Sequence, residues 1–445
     1  MKHLKKVIAL VMALAMVFCL AACGGSSSDG IELQVNIWDA NQQEGIQEIA
    51  DEWAAAYSEE TGSTVTVSVE VVDWDNYWTQ LSAGAQGGEM PDVFWMHSNT
   101  AQTYMPEGIL LDLTDYVAAD DAIDLNNYYQ GIVDLYTYDG ATYAIPKDHD
   151  TIALLYNKTL FDKYGVAVPT SEWTWNDLYN AAKAITEAGA ADGVYGYACN
   201  TSNNQDGWYN IVYDYGAQVI NDTHNGTTIG SDQGKAAMEM FRQILTVSTP
   251  QADVSENGTD TLFQSGKVAM ISQGSWMIKT FYDAMQENGD EYCWALLPYA
   301  DTNANGTCDA GERYSAYNGL GWAASANTEY ADACYDLISY FCDENGQKEQ
   351  AEKGVTMAGM QTEGVSDAFA NAFPGMDISA FLEAENYDLF FRPYTVDTTV
   401  WEDAIQTTEG AFGTAWQDPT NAAAMAAACD KAQEIITNAI AEEQA

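Results

Sequence analysis

Basic side chains are scarce in this chain: 16 Lys and Arg stand against 66 Asp and Glu, a formal net charge of −50. That balance excludes nucleic acid and anionic membrane surfaces as partners for the body of the protein, because both repel a polyanion. Histidine is scarcer still; beyond His3 there are His97, His149 and His224. The eight cysteines form no C-x-x-C pair and no cluster with histidine, so a zinc site is not expected. The six from Cys199 to Cys429 read as small buried side chains in a domain too large to need staples. No G-x-S-x-G, H-E-x-x-H or phosphate loop occurs, which removes the common catalytic signatures. Asp148 and Asp150 are a pair of acids, but glycoside hydrolysis needs two carboxyls about 5–9.5 Å apart across a bond, and spacing in sequence does not supply that. An enzyme is not expected. After Ala22 no stretch approaches the ~20 apolar residues of a membrane span.

What is present begins at the first residue. Met1–Lys6 (MKHLKK) is a basic head, and Val7–Ala22 is an apolar run, the layout of a bacterial export signal. The run closes on Leu20-Ala21-Ala22-Cys23-Gly24, which resembles the lipobox of bacterial lipoproteins. The resemblance implies cleavage before Cys23 and acylation of its sulfur; an ordinary cleaved signal with Cys23 incidental is the alternative. Residues 24–30 (GGSSSDG) form a small polar tether with nothing to bury. Hydrophobic residues make up 47% and aromatics 12%, which excludes a disordered chain. Cys23–Ala445 exceeds the ~250–300 residues at which one core stops growing, so two domains are expected.

The body opens with an alternating strand, Ile31–Ala40, followed by a helix over Gly45–Gly62 in which Ile46, Ile49, Trp53 and Tyr57 recur at helical spacing. A β-branched strand (Thr64–Val72), a helix around Asn76–Ala85 and an apolar strand (Asp92–Met96) complete a strand–helix–strand–helix–strand order. That order predicts a parallel α/β sheet with its ligand beyond the carboxyl ends of the strands. Asp39–Gln43 and His97-Ser98-Asn99 are therefore candidate site segments.

Asp301–Glu312 reads D-x-N-x-N-G-x-x-D-x-x-E, matching the twelve-residue calcium loop at every constrained position. Asp301, Asn303 and Asn305 would supply the first oxygens, Gly306 the sharp turn, and Thr307 a backbone carbonyl. Asp309 would act through water and Glu312 would close the shell. A structural Ca²⁺ is expected, in a loop without full flanking helices, since CWALLPYA before it reads as a strand. The alternative is a polar surface turn, for which Asp, Asn and Gly are the usual material.

Four runs carry a family resemblance: Met90–Val117, Asp139–Leu178, Phe263–Ile278 and Tyr317–Cys342. In order and content they resemble extracellular solute-binding proteins of the maltodextrin-binding type, the family 1 substrate-binding lipoproteins of ABC sugar importers. The resemblance implies a periplasmic-binding-protein-like α/β fold of type II, two lobes joined by a hinge. Its expected segments are a signal over 1–22, a tether over 23–30, one lobe from 31–147 and 314–372, and the other from 151–313 and 373–445. It further implies a carbohydrate ligand, membrane permease subunits as partners, a monomer, and a place on the outer face of the cell membrane through Cys23. By the same resemblance Trp276 stacks on a sugar ring, Asp150 accepts from its hydroxyls, and Asn99 and Asn318 face the cleft. Asp39, Gln43, Trp208 and Arg392 complete the expected ligand set, with Tyr209, Trp322 and Trp38 beside it. For any one tryptophan core packing is the competing role, and Trp53 and Trp78 are read as core. Arg392 could equally neutralise local acids. Gln42-Gln43 stands where the family carries an acid, a departure that weighs against carrying over a maltodextrin preference. A sensory binding protein for the same ligand, or a lipid-anchored glycosidase, are the alternative functions.

Overall fold

The computed structural model describes residues 30–362 and 364–444. The export signal, Cys23 and the tether up to residue 29 lie outside the described residues.

β1 (Gly30–Ile37), α1 (Ala40–Thr61), β2 (Thr64–Val71), α2 (Trp74–Gly87) and β3 (Val93–Met96) follow in the expected order. β1 pairs in parallel with β2 from Gly30–Thr64 to Ile37–Val71, and with β3 on its other side. Val65, Val67 and Val69 turn inward while Thr64, Thr66, Ser68 and Glu70 face solvent, the period-two pattern of a half-buried strand. α1 starts at Ala40 and not at Gly45, because the Asp39 carboxylate caps it by accepting from the Asn41 N–H. Gly62, at φ 72°, ends it in the left-handed conformation that favours glycine.

The principal strands that follow are β4 (Ala144–Pro146), β5 (Ile152–Asn157), β6 (Met270–Gly274), β7 (Tyr292–Leu296), β8 (Tyr314–Tyr317), β9 (Gly321–Ala324) and β10 (Asp388–Phe391). The first sheet runs β2-β1-β3-β9-β4, with β9 antiparallel to both neighbours, so it is mixed where sequence order alone predicts a parallel sheet. The later strand enters because Trp322 and Ala324 fill the same core as Val35 and Trp95. A second sheet places β5, buried at every position, between antiparallel β6 and β7. Its core is continuous with the C-terminal helices around Trp401, Phe412 and Ile436.

Three stretches of backbone cross between the two α/β units side by side, around residues 147–151, 317–320 and 356–359. The Lys147 N–H reaches the Leu320 carbonyl at 2.8 Å, Asp150 N–H the Asn318 carbonyl at 2.7 Å, and His149 N–H the Met357 carbonyl at 3.1 Å. The packing departs from the expected lobe segments in two places. β8 pairs with β10, and its Ala316 lies in the second-lobe core. Residues 365–372 also leave the first lobe: Phe369 packs with Phe263, Phe281 and Trp294, which offer an apolar surface beside β7.

Cys199, Cys334, Cys342 and Cys429 are buried, Cys293 and Cys308 half-buried, and all six are free thiols. No described helix is long and apolar enough to cross a membrane.

Candidate functional site

A cavity of about 920 Å³ opens between the two units, floored by Asp148, Asp150, Asn318 and Leu320 of the crossing segments. The walls differ in chemistry. On the first-lobe side Trp38, Trp74, Trp78 and Trp95 line it, coming from the end of β1, the start of α2 and β3. Trp38 lies edge-on to Trp74 at 5.2 Å and to Trp95 at 4.9 Å between ring centroids, and Trp74 stands 5.5 Å from Trp78. Such T-shaped contacts hold aromatic rings in fixed orientations. On the second-lobe side the lining is mostly amide and carboxylate, including Asn204, Gln205, Glu402, Asp403 and Gln406. Trp276 is the aromatic exception there, its ring lying over Gly274, where a Cβ would come within 2.0 Å of it. The lobes also touch beside the cavity, the Asn41 amide donating to Thr280 Oγ at 2.9 Å.

The polar floor groups are held by hydrogen bonds from the crossing segments and from both lobes. Asp148 pairs with Lys147 at 2.6 Å, accepts from the Leu320 N–H at 2.6 Å and from the Thr356 hydroxyl at 3.1 Å. The Ser275 hydroxyl donates to Asp150 at 2.5 Å, linking the floor to the residue before Trp276. Burial, then the nearby Asp148 charge, pushes the Asp150 carboxyl up to about 7 against the pull of Ser275, Lys147 and His149. The Asn318 amide donates to His97 Nε2 at 3.0 Å, which leaves Nδ1–H to donate to Asn99 Oδ1 at 2.7 Å. Burial and the Arg392 charge lower His97 to about 3, so its imidazole is neutral. Arg392 directs Nη2 at both Glu402 oxygens (3.0 and 2.8 Å), and the Tyr209 hydroxyl donates to the same carboxylate at 2.9 Å. Gln42 Oε1, Trp78 Nε1, Trp95 Nε1 and Arg392 Nη1 are buried on cavity-lining residues with no hydrogen-bond partner among the described residues. Unpaired buried polar groups are uncommon in native structures and mark places where water or a ligand completes the bonding.

A family model for bacterial extracellular solute-binding proteins matches residues 52–371 of this chain. The chain belongs to that family. This solute-binding protein is 25% identical over 377 residues to the galactooligosaccharide-binding protein of Bacillus subtilis, covering 79% of this chain and 80% of that one. It is 24% identical over 378 residues to a maltooligosaccharide ABC transporter solute-binding lipoprotein of Streptococcus pneumoniae, 78% of each chain being covered. Among solved structures, an ABC substrate-binding protein from Listeria monocytogenes in complex with cycloalternan superposes with TM-score 0.78 at 22% identity, over 93% of this chain and 99% of that one. The GacH receptor of Streptomyces glaucescens gives 0.73 at 21% identity, over 92% and 99%. These likenesses establish the two-lobe α/β fold.

Of the expected ligand set, Asp39, Asn99, Asp150, Trp276, Asn318 and Arg392 line the cavity of this solute-binding protein. Gln43 does not: its amide donates to the Val69 carbonyl at 2.8 Å and ties α1 to β2, and its neighbour Gln42 faces the cavity instead. Trp208 is also displaced from the expected set. It begins α3 (Trp208–Asp214), a helix buried on every side, and packs against Phe412 and Trp416 in the second-lobe core. Trp322 likewise is core, stacked on Phe341. Trp78, read from its spacing as core, lines the cavity, and Trp53 is buried. Glu402, Asp403 and Gln406 escape the sequence reading although α4 (Thr398–Gln406) carries them with Thr399 at i, i+3, i+4 and i+7, one face of a helix.

The Asp301–Glu312 segment is a loop after β7. Gly306 has φ 75°, and the Asp301 carboxylate accepts from the Asn305 and Gly306 N–H groups at 3.0 and 3.1 Å. Glu312, buried, accepts from Thr302 N–H at 3.0 Å and Asp309 N–H at 3.1 Å. The Asn303 and Asn305 amides donate to Asp309, each at 2.8 Å, and hold its carboxyl below the usual range. Asp301, Asp309 and Glu312 are not drawn together into a ready cage; among the described residues no group of three or more His, Cys, Asp or Glu is. Side-chain oxygens of the right kind are thus within one loop, but both amides must turn to offer them.

Proposed function

We propose that this protein captures an oligosaccharide between its lobes and presents it to the membrane subunits of an importer, held at the outer face of the membrane by a lipid on Cys23. The observation that carries the ligand class is the pairing of a tryptophan wall with an amide and carboxylate wall. Flat C–H faces of a sugar ring stack on indoles, while the hydroxyls around its edge need polar partners in several directions. The volume of about 920 Å³ is near the top of the ~300–1,000 Å³ range of ligand pockets and has room for more than one ring. Relatives that carry galactooligosaccharides and maltooligosaccharides support the same reading. A ligand touching both lobes favours their closed arrangement over an open one, which gives a permease a shape to recognise. The test is a thermal-melting screen of the soluble body, from Ser26, against mono- and oligosaccharides. A saccharide at a hundred times its Kd stabilises the fold by about 2.7 kcal/mol and is recovered intact. Melting unchanged with every saccharide overturns the ligand class, and released monosaccharide would make the protein a glycosidase.

We also propose that the 301–312 loop takes a Ca²⁺ ion that fastens it to the body. Gly306 in the left-handed conformation, with Asp301 bonded to the two N–H groups around it, supports this reading. Added calcium is expected to raise the melting temperature relative to chelator, and Glu312→Gln to remove that difference. Equal melting with calcium and with chelator overturns it.

A further inference from the structure

The charges of the cavity are matched within the protein on one side only. Five acidic side chains line it: Asp39, Asp148, Asp150, Glu402 and Asp403. Among the lining residues Arg392 is the single Lys or Arg. Its charge is already met by Glu402, whose side chain is 5% exposed beside Arg392 at 7%. Lys147, paired with the lining Asp148, has no exposed side-chain surface and lies over the Trp95 ring at 4.6 Å from its centroid. His97 is neutral, bonded through both ring nitrogens to Asn318 and Asn99. The carboxylates are not all consumed in the same way. Asp39 accepts from Asn41 N–H and the Gln42 amide, neither of them a cation. Asp403, exposed on α4, forms no ion pair among the described residues. Among the described residues that line the cavity, no cation is therefore left free to meet an anion, whereas acceptor oxygens are in excess.

From this arrangement we infer that the cavity takes saccharides bearing no anionic group and rejects uronate, sulfated or phosphorylated ones. The inference rests on the saccharide reading and narrows it. Sugar hydroxyls donate to the carboxylates, forming the stronger charge-assisted class of hydrogen bond. An anionic substituent has no such use for them: it is stripped of water and placed among like charges. Arg392 does not rescue it. Its unpartnered Nη1 suits a neutral ring or hydroxyl oxygen, because a second carboxylate would have to compete with the buried Glu402 for one guanidinium.

Calorimetric titration of galactooligosaccharides against oligogalacturonates of the same length, and of maltooligosaccharides against their C6-oxidised forms, tests this at low and moderate salt. The uncharged member of the pair that binds is expected to be favoured at least about tenfold, with a larger gap at low salt, where screening is weakest. Asp403→Lys, at an exposed position, is expected to narrow the gap. Acidic members that bind as tightly as neutral ones overturn the inference and leave the saccharide reading standing. A gap insensitive to both salt and Asp403→Lys overturns its electrostatic basis. Binding by no member of either series overturns the saccharide reading, and the inference with it.

Discussion

Alanine at position 276 is expected to weaken saccharide binding by roughly thirtyfold, about 2 kcal/mol, the loss typical when a tryptophan anchor is truncated. Trp276 is the one indole on the second-lobe wall, so nothing on that side replaces its face. Gly274→Ala gives an independent route to the same result. A methyl group there falls 2.0 Å from the Trp276 ring and must displace it while leaving the indole in the protein. Both variants are expected to fold, since Trp276 packs only at the margin of the core. Titration with the saccharide found by melting, at matched concentrations, checks both. Affinity unchanged in Trp276→Ala would show that the ring is not a ligand contact.

Removing the Arg392 guanidinium is expected to cost about 3 kcal/mol of stability, because it leaves Glu402 buried with its charge unmet. The Tyr209 hydroxyl remains to donate to that carboxylate but brings no charge. Arg392→Met should therefore lower the urea midpoint, and adding Glu402→Leu should restore most of the loss, since replacing both partners of a buried pair by apolar groups is often near neutral. A double variant no more stable than Arg392→Met would mean that packing of the arginine stem, and not the ion pair, carries the effect. The same variant removes the positive charge that helps keep His97 neutral, so it also disturbs the Asn99–His97–Asn318 chain at the cavity floor.

Much of the first lobe could be read locally. The alternation in Thr64–Val71 and the apolar run of β3 each declare their strand, because burial on one face or both imposes a short-range pattern. Asp39 lines the cavity as expected for a residue at the end of β1, where α1 begins. The tryptophans were harder. Trp78 and Trp208 exchange the roles their surroundings suggest, since an indole is an equally good core residue and cavity wall. What distinguishes the two positions is the neighbour: Trp208 meets Phe412 and Trp416 from two hundred residues further on. Glu402 and Asp403 look like two acids among sixty-six until Arg392 and the opposite tryptophan wall are set against them.

The sequence by itself determined the α/β character of the chain, its family, its export-signal pattern and the calcium-loop pattern, because each depends on residue type at fixed short spacing. Tertiary structure alone decided which strand completes the first sheet, to which lobe residues 365–372 belong, and which indoles meet the cavity. It also decided that the cavity's one arginine is already neutralised. Those outcomes depend on contacts between segments far apart in the chain, and pairwise charge and packing energies of that kind leave no periodic trace in the order of the residues.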